Sequence, residues 1–181
     1  MKRTLILYYS HSNGNTKSLA EDLQKATGGD LAAIETEKPH TGSYDEIVKE
    51  AQDEIKKEYV RPVKPLSYNI GDYDVIAVGT PTWWYTMAPA VKTVLSQHDF
   101  TGRTVIPFMT HAGWPGHTLR DMAAACKNAA IAAAKKIRFD GSGGPLSLRL
   151  DRRSTRGWKK CGKSYYRKKA LHLSSLQYNT R

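Results

Sequence analysis

The sequence predicts an open α/β sheet of parallel strands with helices on both faces. Three observations carry that reading. Short apolar runs alternate with segments whose apolar residues recur every three or four positions, the pattern of βαβ units under right-handed crossovers. Residues 74–80 (DVIAVGT) hold four apolar residues and a glycine without a polar break, as a parallel strand covered on both faces requires. The length, 181 residues, suits one hydrophobic core and not two.

The elements follow in order. Residues 4–9 (TLILYY) are rich in strand formers and run straight into a polar loop. From Thr16 the pattern is helical, with Leu19, Ala20, Leu23 and Ala26 on one side, until Gly28-Gly29 stops it. Residues 31–34 read as a second strand. Residues 43–59 read as an amphipathic helix with Tyr44, Ile47, Val48, Ala51 and Ile55 on one side, Glu and Lys crowding the other, and Pro62 and Pro65 closing it. After the strand at 74–80 come a helix at 87–95, a strand at 104–109 (TVIPFM), an Ala-rich helix at 118–134 and a last strand at 137–139. In such a sheet the ligand sits beyond the carboxyl ends of the strands, so the loops after them should carry the chemistry.

Composition narrows the class. With 40% apolar and 25% charged residues the chain has material for a core and is not of the disordered type. No run approaches the 18 apolar residues of a membrane span, and the amino-terminal apolar stretch is too short for a secretory signal, so a cytoplasmic protein is expected. Cys126 and Cys161 make no disulfide framework, and no Cys/His cluster has zinc spacing. The net charge of +11 is unevenly spread: residues 1–144 hold 17 basic and 16 acidic side chains, and residues 145–181 hold 11 basic ones against Asp151 alone. Any argument from charge to nucleic acid or lipid applies only to that tail.

Three strand-end loops stand out. Ser10-His11-Ser12-Asn13-Gly14-Asn15 leads into Thr16 at the amino end of a helix, where unpaired N–H groups favour an anion. It has no cation before Lys17 and no G-x-G-x-x-G, so neutral donors would hold a phosphate and a dinucleotide cradle is disfavoured. Pro81-Thr82-Trp83-Trp84-Tyr85 places three aromatics at the end of the most apolar strand. Leaving each in water costs about 1.5–3 kcal/mol, which stacking on a flat ring would recover. Pro81 and Pro89 frame that segment. Thr110-His111-Ala112-Gly113-Trp114-Pro115-Gly116-His117 has the Gly and Pro content of sharp turns.

These segments resemble the flavodoxin family. YYSHSNGNTKSLAE is similar to its strand, FMN-phosphate loop and first helix. GTPTWWYTMAPAVKTVL is similar to the flavin-edge loop of the subgroup with a Trp-Trp pair, and FMTHAGWPGHTLRDM to the third flavin loop. RFDGSGG also resembles this subgroup, so the match covers residues 3–144 in order. The resemblance implies a flavodoxin-like three-layer open sheet of five parallel strands in a domain of residues 1–144. It implies FMN as cofactor, with Ser10, His11, Ser12, Asn13, Gly14, Asn15 and Thr16 at the phosphate. His11 departs from the hydroxyl of many flavodoxins; its N–H would contribute while its side chain faces solvent. Pro81, Thr82, Trp83, Trp84 and Tyr85 would lie at the ring, with Trp83 the stacked aromatic. Thr110, His111, Ala112, Gly113, Trp114 and Gly116 would lie at the ring edge, Trp114 adding a second face where many relatives have smaller residues.

No residue set marks an active site of its own. Asp72, Asp74 and Asp140 form no dyad, no Ser-His-Asp order or G-x-S-x-G elbow is present, and Cys126 reads as a small buried apolar residue. His111 and His117 are acid/base candidates, for which a surface or cap role is the commoner explanation. The chemistry would belong to the flavin. The expected function is electron transfer through FMN with redox partner proteins or a small quinone-like acceptor. The alternative is an NAD(P)H or quinone oxidoreductase with a pocket over the ring. A monomer or a homodimer fits either. The resemblance stops before residues 145–181. That tail reads as a solvated basic appendage, as a contact for nucleic acid or anionic lipid, or as a shifted reading frame replacing the usual last helix; nucleic acid is the disfavoured partner. Gly157–Ser164 (GWKKCGKS) has the phosphate-loop spacing but lacks the strand that the mechanism needs before its first Gly.

Overall fold

The computed structural model describes residues 2–139. The basic tail, the GWKKCGKS stretch, Asp140 and most of the GSGG-containing segment lie outside them. The elements are β1 (Thr4–Tyr8), α1 (Asn15–Thr27), β2 (Asp30–Ala33), α2 (Tyr44–Lys56), β3 (Val75–Trp83), β4 (Thr86–Met87), α3 (Pro89–Gln97), β5 (Thr104–His111), α4 (Thr118–Ala125), β6 (Ala130–Ile131) and β7 (Lys135–Arg138). The strands order as β2-β1-β3-β5-β6, all parallel, with β7 also pairing β5 and β4 folding back antiparallel on β3. This is the α/β three-layer architecture that the sequence predicts.

Strand alternation sends residues to opposite faces, and each face builds its own core. Leu5, Leu7, Ile76 and Val78 pack with Val91, Val94 and Leu95 of α3 and Met122 of α4. Ile6, Tyr8, Ala77 and Phe108 pack with Leu19, Ala20 and Leu23 of α1, and with Ile137 and Phe139. Gly79 is opposite Phe108 across the β3–β5 pair, and a Cβ there would lie 2.2 Å from the Phe108 ring. Glycine is what lets that ring lie over the strand. Cys126 is buried with its thiol pushed up to about 11 by desolvation, an inert core residue as expected. Among the described residues no helix is long and apolar enough to cross a membrane.

Two expectations change. The Ala-rich segment is helical only to Ala125. Asn128 (φ 62) and Ala133 (φ 49) take left-handed backbone, and the chain re-enters the sheet as β6 and then β7. Helix propensity at 129–134 gives way to sheet pairing that buries Ile137. The last strand is therefore split, and the split coincides with Ile106 and Pro107, the β5 residues without a partner on that side. Proline has no N–H for a ladder. The second change concerns α2: it is well capped by the reciprocal Ser43–Glu46 box, but Tyr44 is 74% exposed while Glu54 is buried.

Candidate functional site

The three loops meet at the carboxyl end of the sheet. Gly14, in left-handed backbone at φ 70, precedes α1, whose amino terminus takes no side-chain cap. Its first N–H groups and the positive end of the helix dipole face the loop. Ser10 Oγ and Asn15 Oδ1 are buried there with no protein partner. Ser12 and Asn13 are exposed. Thr16 is fully buried, and its hydroxyl lies 2.8 Å from that of Thr110, tying the first loop to the third.

The second loop is a hairpin and not a coil. β3 continues to Trp83 and reverses through Trp84 and Tyr85 into β4, with Thr82 opposite Met87 and Trp83 opposite Thr86. Both turn residues have positive φ, 45 and 68. A two-residue hairpin wants that backbone, but Asn-Gly is its usual sequence and bulky aromatics pay for it in strain. Neighbouring contacts hold the turn. Trp84 Nε1 donates to the Val48 carbonyl of α2 at 3.3 Å, and the His117 N–H donates to the Tyr85 carbonyl at 2.8 Å. Gly116 sits so close that a Cβ would be 2.2 Å from the Tyr85 carbonyl oxygen. Pro81 and Thr82 are half-buried, and Thr82 Oγ1 lies 3.2 Å from Thr118 Oγ1.

Trp83 is surrounded edge-on by Tyr9, His11 and His40, with ring centroids 5.7, 5.8 and 5.1 Å away. His11 is half-buried, with its ring against Trp83 and its Nδ1 3.1 Å from the exposed Ser12 hydroxyl. The open aromatic surface consists of Trp84 (41% exposed), Tyr85 (53%) and Trp114 (77%). In the third loop Thr110 is buried and His111 half-buried, with Nδ1 unpartnered. Burial, with Lys136 and Arg138 nearby, holds the His111 pKa below its ordinary value, so it is a neutral imidazole. Ala112 is exposed, Gly113 half-buried, and Gly116 has φ 54. His117 stands at the N-cap position of α4, but its side chain caps no backbone N–H and instead contacts Asp121 through Nδ1.

Between these loops and α2 lies a cleft of about 400 Å³, walled by Tyr44, Ile47, Val48 and Ala51 on one side and Trp83 and Trp84 on the other, with His11 and Ser12 at its end. Beneath Trp83 is a polar cluster that the loop-by-loop reading of the sequence missed. His40 Nδ1 lies 3.5 Å from the Tyr9 hydroxyl, and its Nε2 lies 3.4 Å from Glu54 Oε2. Arg61 bonds Glu54 Oε1, donates to Glu50 Oε1 at 3.0 Å and to the Lys38 carbonyl at 2.6 Å. Desolvation, reinforced by the Arg61 charge, lowers the His40 pKa to about 4. Desolvation also raises Glu54, and it raises Tyr9 to about 12. One signal was available: Glu50 and Glu54 follow Ile47 at three- and seven-residue spacing, which puts both carboxylates on the apolar side of α2.

Residues 3–142 match the family model described as flavodoxin. No curated protein matches the chain. Among solved structures, a Bacteroides eggerthii protein provisionally described as a flavoprotein superposes with a TM-score of 0.69 at 24% identity, covering 87% of this chain and 96% of its own. A flavoprotein from Lactobacillus acidophilus in complex with FMN gives 0.66 at 24%, covering 75% and 93%. The oxidised flavodoxin 2 of Bacillus cereus gives 0.52 at 15%, covering 91% and 98%. At these identities the structural likeness speaks for the fold.

Proposed function

The chain belongs to the flavodoxin family, and from that premise we infer that it binds FMN at the three loops and transfers electrons through it. The observation that carries this reading is a set of three buried polar atoms without protein partners: Ser10 Oγ, Asn15 Oδ1 and His111 Nδ1. They lie on loops that the Thr16–Thr110 hydroxyl pair joins. Buried polar groups in native proteins are almost always bonded, so such a set calls for a ligand with several acceptors and donors. The residues fit the group. The uncapped amino end of α1 with Ser10, Ser12, Asn13, Gly14, Asn15 and Thr16 suits a single phosphate without an ion pair. Pro81, Thr82, Trp83, Trp84, Tyr85, Thr110, His111, Ala112, Gly113, Trp114 and Gly116 supply a largely aromatic and backbone surface for a flat ring.

Flavin, when bound, supplies one- and two-electron redox chemistry. The protein's part is to position and tune. Trp83 is fixed by the three rings around it, so whatever it touches meets a rigid wall. A neutral His111 can either accept or donate a hydrogen bond at the ring edge. Titration of apoprotein with FMN and FAD, followed by flavin fluorescence, tests the reading. FMN is expected to bind roughly tenfold or more tighter, with Ser10→Ala and Asn15→Ala weakening it; equal affinities would overturn the one-phosphate assignment. The cleft between α2 and the second loop favours a second reading, an FMN-dependent NAD(P)H or quinone oxidoreductase, because its apolar walls suit a small flat ligand. Rapid anaerobic bleaching of the bound flavin by NADH or NADPH selects the oxidoreductase; slow bleaching selects the carrier.

A further inference from the structure

We propose that His40, Glu54 and Glu50 form a binding site for one divalent transition-metal ion, of the zinc class, beneath Trp83. The three side chains bring a ligand atom each to within 4.8 Å of one another. Acidic groups gather on many surfaces without an ion, but two of these atoms are not on a surface. His40 and Glu54 have side chains only 1% and 9% exposed, and His40 Nε2 and Glu54 Oε2 both lack a hydrogen-bond partner. They face each other across 3.4 Å. In the tautomer with its hydrogen on Nδ1, that gap holds two lone pairs pointed together, which an electrophile between them would relieve.

The dimensions agree with a small tetrahedral ion. Bonds of about 2.0–2.1 Å to nitrogen and oxygen place neighbouring ligand atoms about 3.3–3.4 Å apart. The His40–Glu54 pair already has that spacing. Glu50 Oε1, at 3.9 Å from Nε2 on a half-exposed side chain, accepts from Arg61 at 3.0 Å and must swing from it toward the pair to complete the set. Each outer contact has a place in such a site. The Tyr9 hydroxyl can accept from the tautomer that leaves Nε2 free, and Arg61 takes Glu54 Oε1 while Oε2 faces His40. Glu50, Glu54 and Arg61 also line a cleft of about 540 Å³, which would supply a water as the fourth ligand. One imidazole with two carboxylates suits zinc or a similar transition ion better than magnesium or calcium. The Arg61 charge opposes any cation, so the affinity is set below that of an all-anionic cage.

The test uses the full-length chain after chelator treatment, in a His117→Ala, Cys161→Ser background that removes two competing ligands. Calorimetric titration with zinc chloride is expected to show one equivalent bound, weakened roughly tenfold or more by His40→Ala and by Glu54→Gln. Magnesium chloride should give no saturable heat. Cobalt(II) added to the folded background protein should develop the strong visible bands of a tetrahedral ion, a readout that needs no further variant; their absence would overturn the proposal. Absence of saturable zinc binding, or zinc binding that His40→Ala leaves unchanged, would overturn the proposal and leave the cluster as a proton-sharing ion pair.

Discussion

Protonating His40 in the folded chain means placing a charge under an indole and beside the Arg61 guanidinium, which is why its pKa falls from 6.5 to about 4. The unfolded chain binds that proton two to three units earlier, so folding loses stability as pH drops from about 6.5 toward 4. Glu54, raised by burial, acts in the opposite sense: it takes up a proton in the folded state first and recovers part of the loss. In metal-free protein His40 alone is expected to remove about 2 kcal/mol between pH 7 and pH 5, part of which Glu54 returns. Urea denaturation at the two pH values checks it: His40→Gln should flatten the dependence, and an unchanged slope would exclude His40 as its source. Gly116 gives a second residue-scale prediction. With positive φ and the Tyr85 backbone 2.2–2.4 Å from any added Cβ, Gly116→Ala must move either the third loop or the hairpin. A stability loss of about 2 kcal/mol or more, with weakened FMN binding, is expected in chemical denaturation and flavin titration.

Among the elements, the β3–β4 hairpin is the one that departs most from local preference. Its two aromatic turn residues occupy left-handed backbone that Asn-Gly would adopt with little cost. The double substitution Trp84→Asn, Tyr85→Gly should therefore raise thermal stability while weakening FMN binding; a variant that loses stability would show that the Trp84–Val48 hydrogen bond outweighs the strain. Ser43→Ala, by contrast, removes a capping box at the amino end of α2, outside the three loops. It should cost about 1 kcal/mol in denaturation and leave flavin affinity unchanged. Helix ends of this kind were legible in the sequence, as were the strands, because each rests on a short-range pattern. The hairpin was not: no residue pair at 84–85 announces a tight turn, and only the pull of α2 and the third loop makes it one. His40 was invisible for the related reason that a lone histidine before a loop has no periodicity. It takes on meaning only when α2 brings Glu50 and Glu54 to it.

At the scale of the whole molecule, both cores and all three loops lie within residues 2–139. A chain ended after Gly144 is accordingly expected to bind FMN with unchanged affinity, whatever it does to stability; soluble truncated protein without FMN affinity would refute this. The parallel α/β class was readable from alternation, and so was a last strand at 137–139, but β6 and the start of β7 were not, because Ala-rich composition argues for helix up to residue 134. The division of that strand has a further effect. Residues 132–134 stand opposite only Ile106 and Pro107, so the outer ladder among the described residues runs for two residues, breaks, and resumes for four. A strand from another molecule laid along this edge would lose its hydrogen bonds and its register at the break. Interrupted edges of this kind resist templated fibre growth, and here a single proline, Pro107, in the middle of the sheet accounts for where the interruption falls.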